Sequence, residues 1–184
     1  MSIVHQTPTP AYPGRRWRAR RYPGSRSVCP RFRAELRSDL ATLAGVPSSL
    51  VEDVELCAGE AFANAVTHSR SQRPGGVVVR MLSTPTVVED HTTLRLSILD
   101  DGPFDSRSLC VPARCSARGW EQDESGRGLL LIHQLAGEWG TQRWTDPGSS
   151  GVSGTMLWAE FAYPTPAPAH TIANASSCVC GGGR

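Results

Sequence analysis

Residues 50–69 constrain the fold of this chain more than any other stretch. Their apolar side chains recur at intervals of three or four, which predicts an amphipathic helix with one buried face: Leu50, Val54, Ala58, Ala61, Phe62 and Ala65. Glu60 and Asn64 are one helical turn apart, so they project side by side at the edge of that face. A carboxylate there could act as a general base, and a carboxamide oxygen could hold a hard cation such as Mg²⁺. Such pairs are also common on solvated helices, so the pair alone does not identify a site.

The composition predicts one globular domain with tails. The chain has 184 residues, of which 39% are hydrophobic and 20% charged. It contains no apolar run of membrane-spanning length and does not begin with a signal-peptide pattern, so we expect a cytoplasmic protein without membrane contact. All 19 basic residues are arginine, which excludes mechanisms that need a lysine, such as that of the P-loop.

Charge and cysteine placement leave one alternative open. Nine arginines lie between Arg15 and Arg37, against the single acid Glu35. A basic arm of this kind can bind nucleic acid, as in a transcription-linked factor. No recognition helix accompanies the arm, so this is the least favoured function. The six cysteines show no paired C-x-x-C spacing, and we expect free thiols: Cys29, Cys57, Cys110, Cys115, Cys178 and Cys180.

Helix signals flank the central segment. Ser27 is expected to cap a first helix that has Pro30 in its first turn and stops before Gly45. The pattern Ser49-Leu-Val-Glu52 is typical of a capping box, and it is expected to open the long helix. Residues 74–76, Pro-Gly-Gly, are expected to end that helix.

Four strands and a third helix follow. Strands are predicted at 77–82, 92–99, 139–145 and 155–161, and a helix at 129–136. The linker 83–91 is too long for a tight hairpin turn and has no assigned shape, whereas 104–125 is predicted to be a functional lid or disordered. Because hairpins outnumber crossovers, we expect an α+β fold with a mixed, largely antiparallel sheet and helices on one face. The predicted domain spans 25–162, between a basic, disordered leader (1–24) and a flexible tail (163–184).

Three short motifs could bind a nucleotide. Asp100 ends a predicted buried strand and could accept a hydrogen bond from an exocyclic amine such as the 6-amino group of adenine, while Gly102 lets the backbone approach a flat ring. Gly126-Arg127-Gly128 at a helix start could hold phosphates on bare N–H groups and the helix dipole. The hydroxyl of Thr155 could assist at the purine. Each motif alone is also compatible with an ordinary turn, helix entry or strand start.

In their order and spacing, these motifs resemble those of the GHKL ATPase superfamily, which has the Bergerat fold and a histidine-kinase-like ATPase domain. The similarity is greatest to anti-sigma-factor serine/threonine kinases of the RsbW and SpoIIAB type, and it covers about residues 25–161. Its N, G1 and G2 boxes are, in that order, Glu60-x-x-x-Asn64-Ala-x-x-His68, Asp100-x-Gly102 and Gly126-x-Gly128-Leu129.

The resemblance implies a two-layer α+β sandwich that binds ATP and Mg²⁺, with a lid between the G1 and G2 boxes. By this comparison Glu60 activates the attacking hydroxyl, Asn64 coordinates Mg²⁺ and Asp100 recognises adenine. The remaining nucleotide contacts would come from Gly102, Gly126, Arg127, Gly128, Leu129 and Thr155.

The same resemblance implies protein partners. Kinases of this type phosphorylate a serine of an anti-sigma-factor antagonist, bind a sigma factor and form homodimers. One departure motivates a second hypothesis: many members have D-x-G-x-G in the G1 box, and here Phe104 replaces the second glycine. The alternative is a nucleotide-dependent switch that binds a protein partner without phosphoryl transfer.

Overall fold

The computed structural model describes residues 9–10, 17–43, 45–88, 90–104, 127–145 and 153–165. The helices in these ranges are α1 (Cys29–Leu40), α2 (Ser48–His68) and α3 (Arg127–Leu135). The strands are β1 (Thr9–Pro10), β2 (Arg20–Pro23), β3 (Val77–Leu82), β4 (Thr86–Val88), β5 (His91–Asp100), β6 (Glu138–Thr145) and β7 (Ser153–Pro164).

One sheet contains all of these strands, and β5 is its centre. Along one edge of β5, β7 pairs over the full length, from His91 opposite Pro164 to Asp100 opposite Thr155. The other edge is shared by β4 and β3, which are extended outward by β1 and β2. Strand β6 pairs with β7. Every pairing between the described strands is antiparallel, which confirms the predicted α+β fold class.

The helices form a second layer over the sheet. Helix α2 lies between α1 and α3 and packs on β5 and β7, as expected for a helix with an apolar stripe. An aromatic group joins the layers: the Tyr22 and Phe32 rings are 5.2 Å apart, and Phe32 and Phe62 are 4.6 Å apart, with all three side chains buried. The predicted two-layer arrangement is thus closed by side chains from β2, α1 and α2.

The helix ends differ from the predictions. A 3₁₀ turn at Arg26–Val28 precedes α1, and its cap is Ser25, whose Oγ accepts a hydrogen bond from the Ser27 N–H at 3.3 Å. The predicted Ser27 cap is therefore wrong, although Pro30 does lie in the first turn of α1. The predicted Ser49 capping box is also wrong, because α2 begins one residue earlier and has Pro47, without a side-chain cap, at its N-cap.

Helix α2 ends at His68, earlier than the Pro-Gly-Gly of 74–76 predicts. Ser69 is extended, with φ −127° and ψ 168°, and its Oγ accepts a hydrogen bond from the Ser71 N–H at 3.0 Å. The hydroxyl of Ser69 also donates to the Ala65 carbonyl at 2.5 Å. Ser69 therefore ends the helix without a glycine, because its hydroxyl pairs with a free helix carbonyl and caps the following 3₁₀ turn.

The strand predictions hold, with additions. Strand β3 has the predicted bounds, and β5, β6 and β7 cover the other predicted strands. The predicted helix 129–136 is α3, which begins two residues earlier and ends one residue earlier. The unassigned linker 83–91 contains β4, which the sequence analysis missed. Strand β4 has only three residues, which is too short to show an alternating pattern in the sequence. It is extended because it pairs with β5. Strand β2 is an edge strand of the sheet and lies inside the segment 1–24, which the sequence predicts to be a disordered leader.

A buried ion cluster ties α1 to the sheet. Arg80 of β3 is only 1% exposed and donates from Nη2 to Asp39 Oδ2. Arg20 donates to both oxygens of Asp39, at 2.8 and 3.1 Å. Burial raises the pKa of Asp39, but the hydrogen bonds from the two arginines outweigh it and hold that pKa below its ordinary value.

The arginine-rich run is partly used inside the domain. Three of its members bind acids of the same chain: Arg20 with Asp39, Arg31 with Glu35 and Arg37 with Glu55. These ion pairs supply a structural reason for the run that does not involve nucleic acid.

Two further expectations concern cysteines and membranes. Cys29 and Cys57 are free thiols, as predicted, and burial raises the pKa of the Cys57 thiol to about 12. The other four cysteines lie outside the described residues. Among the described helices, none is long and apolar enough to cross a membrane.

Candidate functional site

Glu60 and Asn64 lie in the C-terminal half of α2, facing the first turn of α3. A β-carbon built on Gly128 of α3 would lie 2.7 Å from Glu60 Oε2 and 3.5 Å from Asn64 Nδ2. Real β-carbons essentially never come within 3.0 Å of a non-bonded heavy atom, so any side chain at Gly128 would displace the carboxylate. The tertiary fold therefore brings together the predicted base, the predicted metal-binding amide and the glycine of the predicted phosphate cradle.

Packing explains this contact. Helix α3 lies against α2, and its Ile132 is buried in the core between the helices and the sheet. Gly128 is buried one turn before Ile132, at the position where α3 faces the Glu60 side chain of α2. Arg127 is exposed at the start of α3, and Leu129 is half-buried against the core. The free N–H groups of the first helical turn thus open beside Glu60.

Asp100 is the last residue of β5. Its Oδ1 accepts hydrogen bonds from the backbone N–H groups of Gly102, at 2.6 Å, and of Thr155, at 3.2 Å. Burial raises the pKa of Asp100 to about 6, although the hydrogen bonds from Gly102 and Thr155 favour its charged form. A carboxyl group held by two backbone donors and removed from water is a rigid acceptor for a ligand that can donate a hydrogen bond.

The two aspartates in Asp100-Asp101 have separate environments. Asp101 Oδ2 accepts from the Val77 N–H at 2.8 Å and from the Ser71 hydroxyl at 3.2 Å. The backbone N–H of Asp101 also donates to Ser71 Oγ at 2.9 Å. Asp101 therefore holds the turn to the start of β3, which leaves Asp100 as the candidate for ligand binding.

The glycine turn after β5 is anchored to the 3₁₀ turn (Arg70–Gln72) that follows α2. Gly102 has φ +82°, in the left-handed region that favours glycine, and its carbonyl accepts from the Arg70 N–H at 2.8 Å. The Arg70 side chain donates from Nε to the Asp101 carbonyl at 2.8 Å. Helix α2 thus carries Glu60 and Asn64, and the 3₁₀ turn Arg70–Gln72 that follows it positions the Asp100–Gly102 turn.

Sequence reasoning missed Trp144, on β6. Its indole Nε1 donates to the Asp100 carbonyl at 3.2 Å, and it lies over Gly154. A β-carbon on Gly154 would come within 2.2 Å of that nitrogen and 2.0 Å of the Asp100 carbonyl oxygen. The sequence gives no local signal for Trp144, because the contact depends on the register of β6, β7 and β5.

The remaining predicted positions are less informative. Gly126 lies outside the described residues, as do Cys110, Cys115 and Trp120 of the predicted lid. His68 is exposed in the last turn of α2. Phe104 is 44% exposed, and the Arg73 guanidinium lies 5.5 Å from the centre of its ring.

The residues around Asn64 are compatible with a phosphate-bound Mg²⁺ ion. Within the described part of the chain, no group of three or more His, Cys, Asp or Glu side chains could hold a metal alone. Mg²⁺ bound together with nucleotide needs only one or two protein ligands, because phosphates and waters supply the rest. The Asn64 amide, beside Glu60 and the start of α3, fits that mode.

An open cleft of about 540 Å³ lies elsewhere, near the end of β2. Its walls come from Arg21, Tyr22, Pro23, Gly24, Ser25 and residues 72–77. None of the predicted site residues lines it, so the cleft is separate from the candidate site.

The comparison with protein-family profiles agrees with the motif spacing. The profile of the histidine kinase-like ATPase domain family matches residues 27–159, which is more than half of the chain. Among solved structures, a similar one is the SiaB–SiaC complex from Pseudomonas aeruginosa; it is 20% identical, covers 78% of this chain and 89% of that one, and has a TM-score of 0.47. No curated protein matches the sequence.

Proposed function

The chain belongs to the family of histidine kinase-like ATPase domains, and from that premise we propose that it is a cytoplasmic, Mg-ATP-dependent serine/threonine kinase of the anti-sigma-factor type. In this proposal it phosphorylates an antagonist protein and binds a sigma factor. The observation that carries the proposal is the contact of Gly128 with Glu60 and Asn64. That contact supports a site where a base, a metal-binding amide and a helix N-terminus meet.

The adenine end of the site rests on Asp100. Both backbone hydrogen bonds go to Oδ1. We assign Oδ2 as the acceptor for the 6-amino group of adenine. Gly102, which has no side chain, lies in a left-handed turn two residues after Asp100, and Thr155 is opposite Asp100 on β7.

The phosphate end rests on α3. The N–H groups of its first turn and its helix dipole favour bound anions, and Arg127 adds a positive charge. Asn64 would contribute an oxygen ligand to Mg²⁺, which neutralises phosphate charge when bound. Gly128 keeps this region free of a side chain.

Glu60 is assigned the role of base. Phosphoryl transfer depends on positioning and on charge neutralisation, with a carboxylate to orient the attacking hydroxyl and accept its proton. Glu60 is half-buried beside Gly128, close to where the phosphates would lie against α3. The hydroxyl would belong to a serine of the partner protein.

Nucleotide binding is tested first, by calorimetric titration of Mg-ATP and Mg-ADP into the wild type and Asp100→Ala. Micromolar affinity corresponds to about 8 kcal/mol, and Asp100→Ala should remove a large part of it. A folded wild-type protein that binds neither nucleotide would refute the proposal.

Phosphoryl transfer is tested separately. Proteins retained by the immobilised chain are incubated with γ-labelled ATP and analysed for phosphoserine. We expect Glu60→Gln to keep nucleotide affinity within about twofold and to lose transfer. Equal transfer by wild type and Glu60→Gln would exclude Glu60 as the base.

The position of Phe104 keeps a second function open, a nucleotide-dependent binding switch without transfer. Phe104 is exposed beneath Arg73 and is the first residue of the predicted lid. In this alternative, nucleotide changes the affinity for a protein partner, but no phosphoserine forms. Equal partner affinity with Mg-ATP, with Mg-ADP and without nucleotide would exclude it.

A further inference from the structure

We propose that Trp144 is a positioning residue for nucleotide binding, which holds Asp100 in place through its backbone from the face of the sheet opposite the site. This inference rests on the proposed function, because it assigns Asp100 to the nucleotide.

The two faces of the sheet define the arrangement. Trp139 and Trp144 are five residues apart on β6, so their side chains lie on opposite faces. Trp139 packs against the hydrophobic core, beneath the helices. Trp144 therefore lies on the other face, and its indole reaches the carbonyl oxygen of Asp100 from there, at 3.2 Å.

Asp100 is consequently fixed from two sides. Toward the helix layer, its Oδ1 accepts from Gly102 and Thr155; from the opposite face, Trp144 holds its carbonyl. The three donors come from β6, β7 and the glycine turn. A residue at the end of a strand would otherwise be able to fray, because the ladder ends there.

Gly154 makes this contact possible. It is buried opposite Trp144 in the β6–β7 register. A β-carbon there would collide with both the indole nitrogen, at 2.2 Å, and the Asp100 carbonyl oxygen, at 2.0 Å. The glycine therefore serves close packing of the three strands, and it need not touch the nucleotide.

The test uses Trp144→Phe, which keeps an aromatic ring but removes the N–H donor. Trp139→Phe is the matched control. It also removes an indole N–H from β6, but that N–H donates to His133 Nδ1, at 3.2 Å, and not to Asp100. Two quantities are measured in the full chain: the Mg-ADP affinity, and the amide ¹H–¹⁵N resonances of Gly102 and Thr155 without nucleotide.

For Trp144→Phe, we expect Mg-ADP affinity to fall about fivefold, equivalent to ~1 kcal/mol, and both amide resonances to shift. Trp139→Phe should leave both amides unchanged. A general loss of stability would not move those two amides selectively, which separates positioning from a purely structural role.

The other outcomes are also decisive. If the two amides of Trp144→Phe match those of the wild type, the positioning role is refuted, whatever happens to affinity. If they shift but affinity stays within twofold of a wild type that binds Mg-ADP, Trp144 orders the strand end without serving binding, and the proposal is likewise refuted. If they shift while the folded wild type binds neither nucleotide, the backbone contact is supported and the proposed function fails on its own.

Discussion

Gly128 of α3 lies against the carboxylate of Glu60 on α2, so closely that a β-carbon at position 128 would be 2.7 Å from Oε2. The two residues are distant in sequence and belong to separate motifs. Their contact joins a candidate base to a helix N-terminus, where an anion is favoured. It explains why glycine occupies a helical position at which alanine would otherwise be preferred.

The first prediction concerns Gly128→Ala. The methyl group must displace Glu60 or enter the phosphate region, so we expect Mg-ATP affinity to fall at least tenfold, while the thermal midpoint changes by only a few degrees. Gly137→Ala is the matched control, because among the described residues a β-carbon there would meet only the Glu160 carbonyl oxygen, at an ordinary 3.6 Å. Equal affinities for the wild type and the two variants would contradict the phosphate assignment.

The second prediction concerns pH. The pKa of Asp100 is about 6 in the free protein, and the charged form is the better acceptor for the adenine amino group. Mg-ADP affinity should therefore be level above pH 7 and fall up to tenfold for each pH unit below about 6. Calorimetry between pH 5 and pH 8 in matched buffers measures this, and Asp100→Asn should not show this pH dependence. An identical slope in that variant would assign the dependence to another group.

The third prediction is a gain of stability on removing the same charge. Folding raises the pKa of Asp100 from 3.8 to about 6, so the folded protein holds this proton more tightly than the unfolded chain. The stability gained from that proton is complete below pH 3.8 and is lost as pH rises through 6. At pH 7.5 the nucleotide-free Asp100→Asn variant should therefore unfold at a higher temperature than the wild type, although it binds Mg-ADP more weakly. Calorimetric scans at pH 7.5 and pH 5 test this, since the difference should shrink at the lower pH. A lower midpoint at pH 7.5 would refute it.

The fourth prediction concerns the buried pair of Asp39 and Arg80. Asp39→Asn leaves the Arg80 guanidinium almost fully buried, and its Nε and Nη1 have no hydrogen-bond partner among the described residues, so we expect a loss of ~3 kcal/mol in the free energy of unfolding. Glu55→Gln is the control, because its partner Arg37 is 66% exposed, and it should cost less than about 1 kcal/mol. Urea unfolding monitored by circular dichroism measures both. Similar losses would mean that burial of Arg80 is not decisive.

Local patterns predicted those elements that are long and periodic. Helix α2 and strands β3 and β5 follow from the spacing of their apolar residues, because that spacing reports which side of an element is buried. The same patterns failed at the start of α2, where Pro47 replaces the expected capping box, and at β4, which is too short to show a period. Helix ends and short strands depend on neighbours that a local pattern does not contain.

The order and spacing of the motifs also identified the family, which the match over residues 27–159 confirms. The functional roles of Glu60, Asn64 and Asp100 remain predictions. The structure adds a distinction that the pair Asp100-Asp101 does not reveal by itself, because hydrogen bonds from Val77 and Ser71 assign Asp101 to the turn.

The sequence by itself thus determined the fold class and the family, because these follow from periodicity and from the order of short motifs along the chain. Only the tertiary structure decided that Gly128 meets Glu60, that Trp144 holds Asp100 and that Arg80 is buried against Asp39. An apolar stripe shows that a face is buried but not which surface covers it, since burial of apolar area is non-directional. Directional contacts depend on strand register and helix placement, which the whole chain sets together.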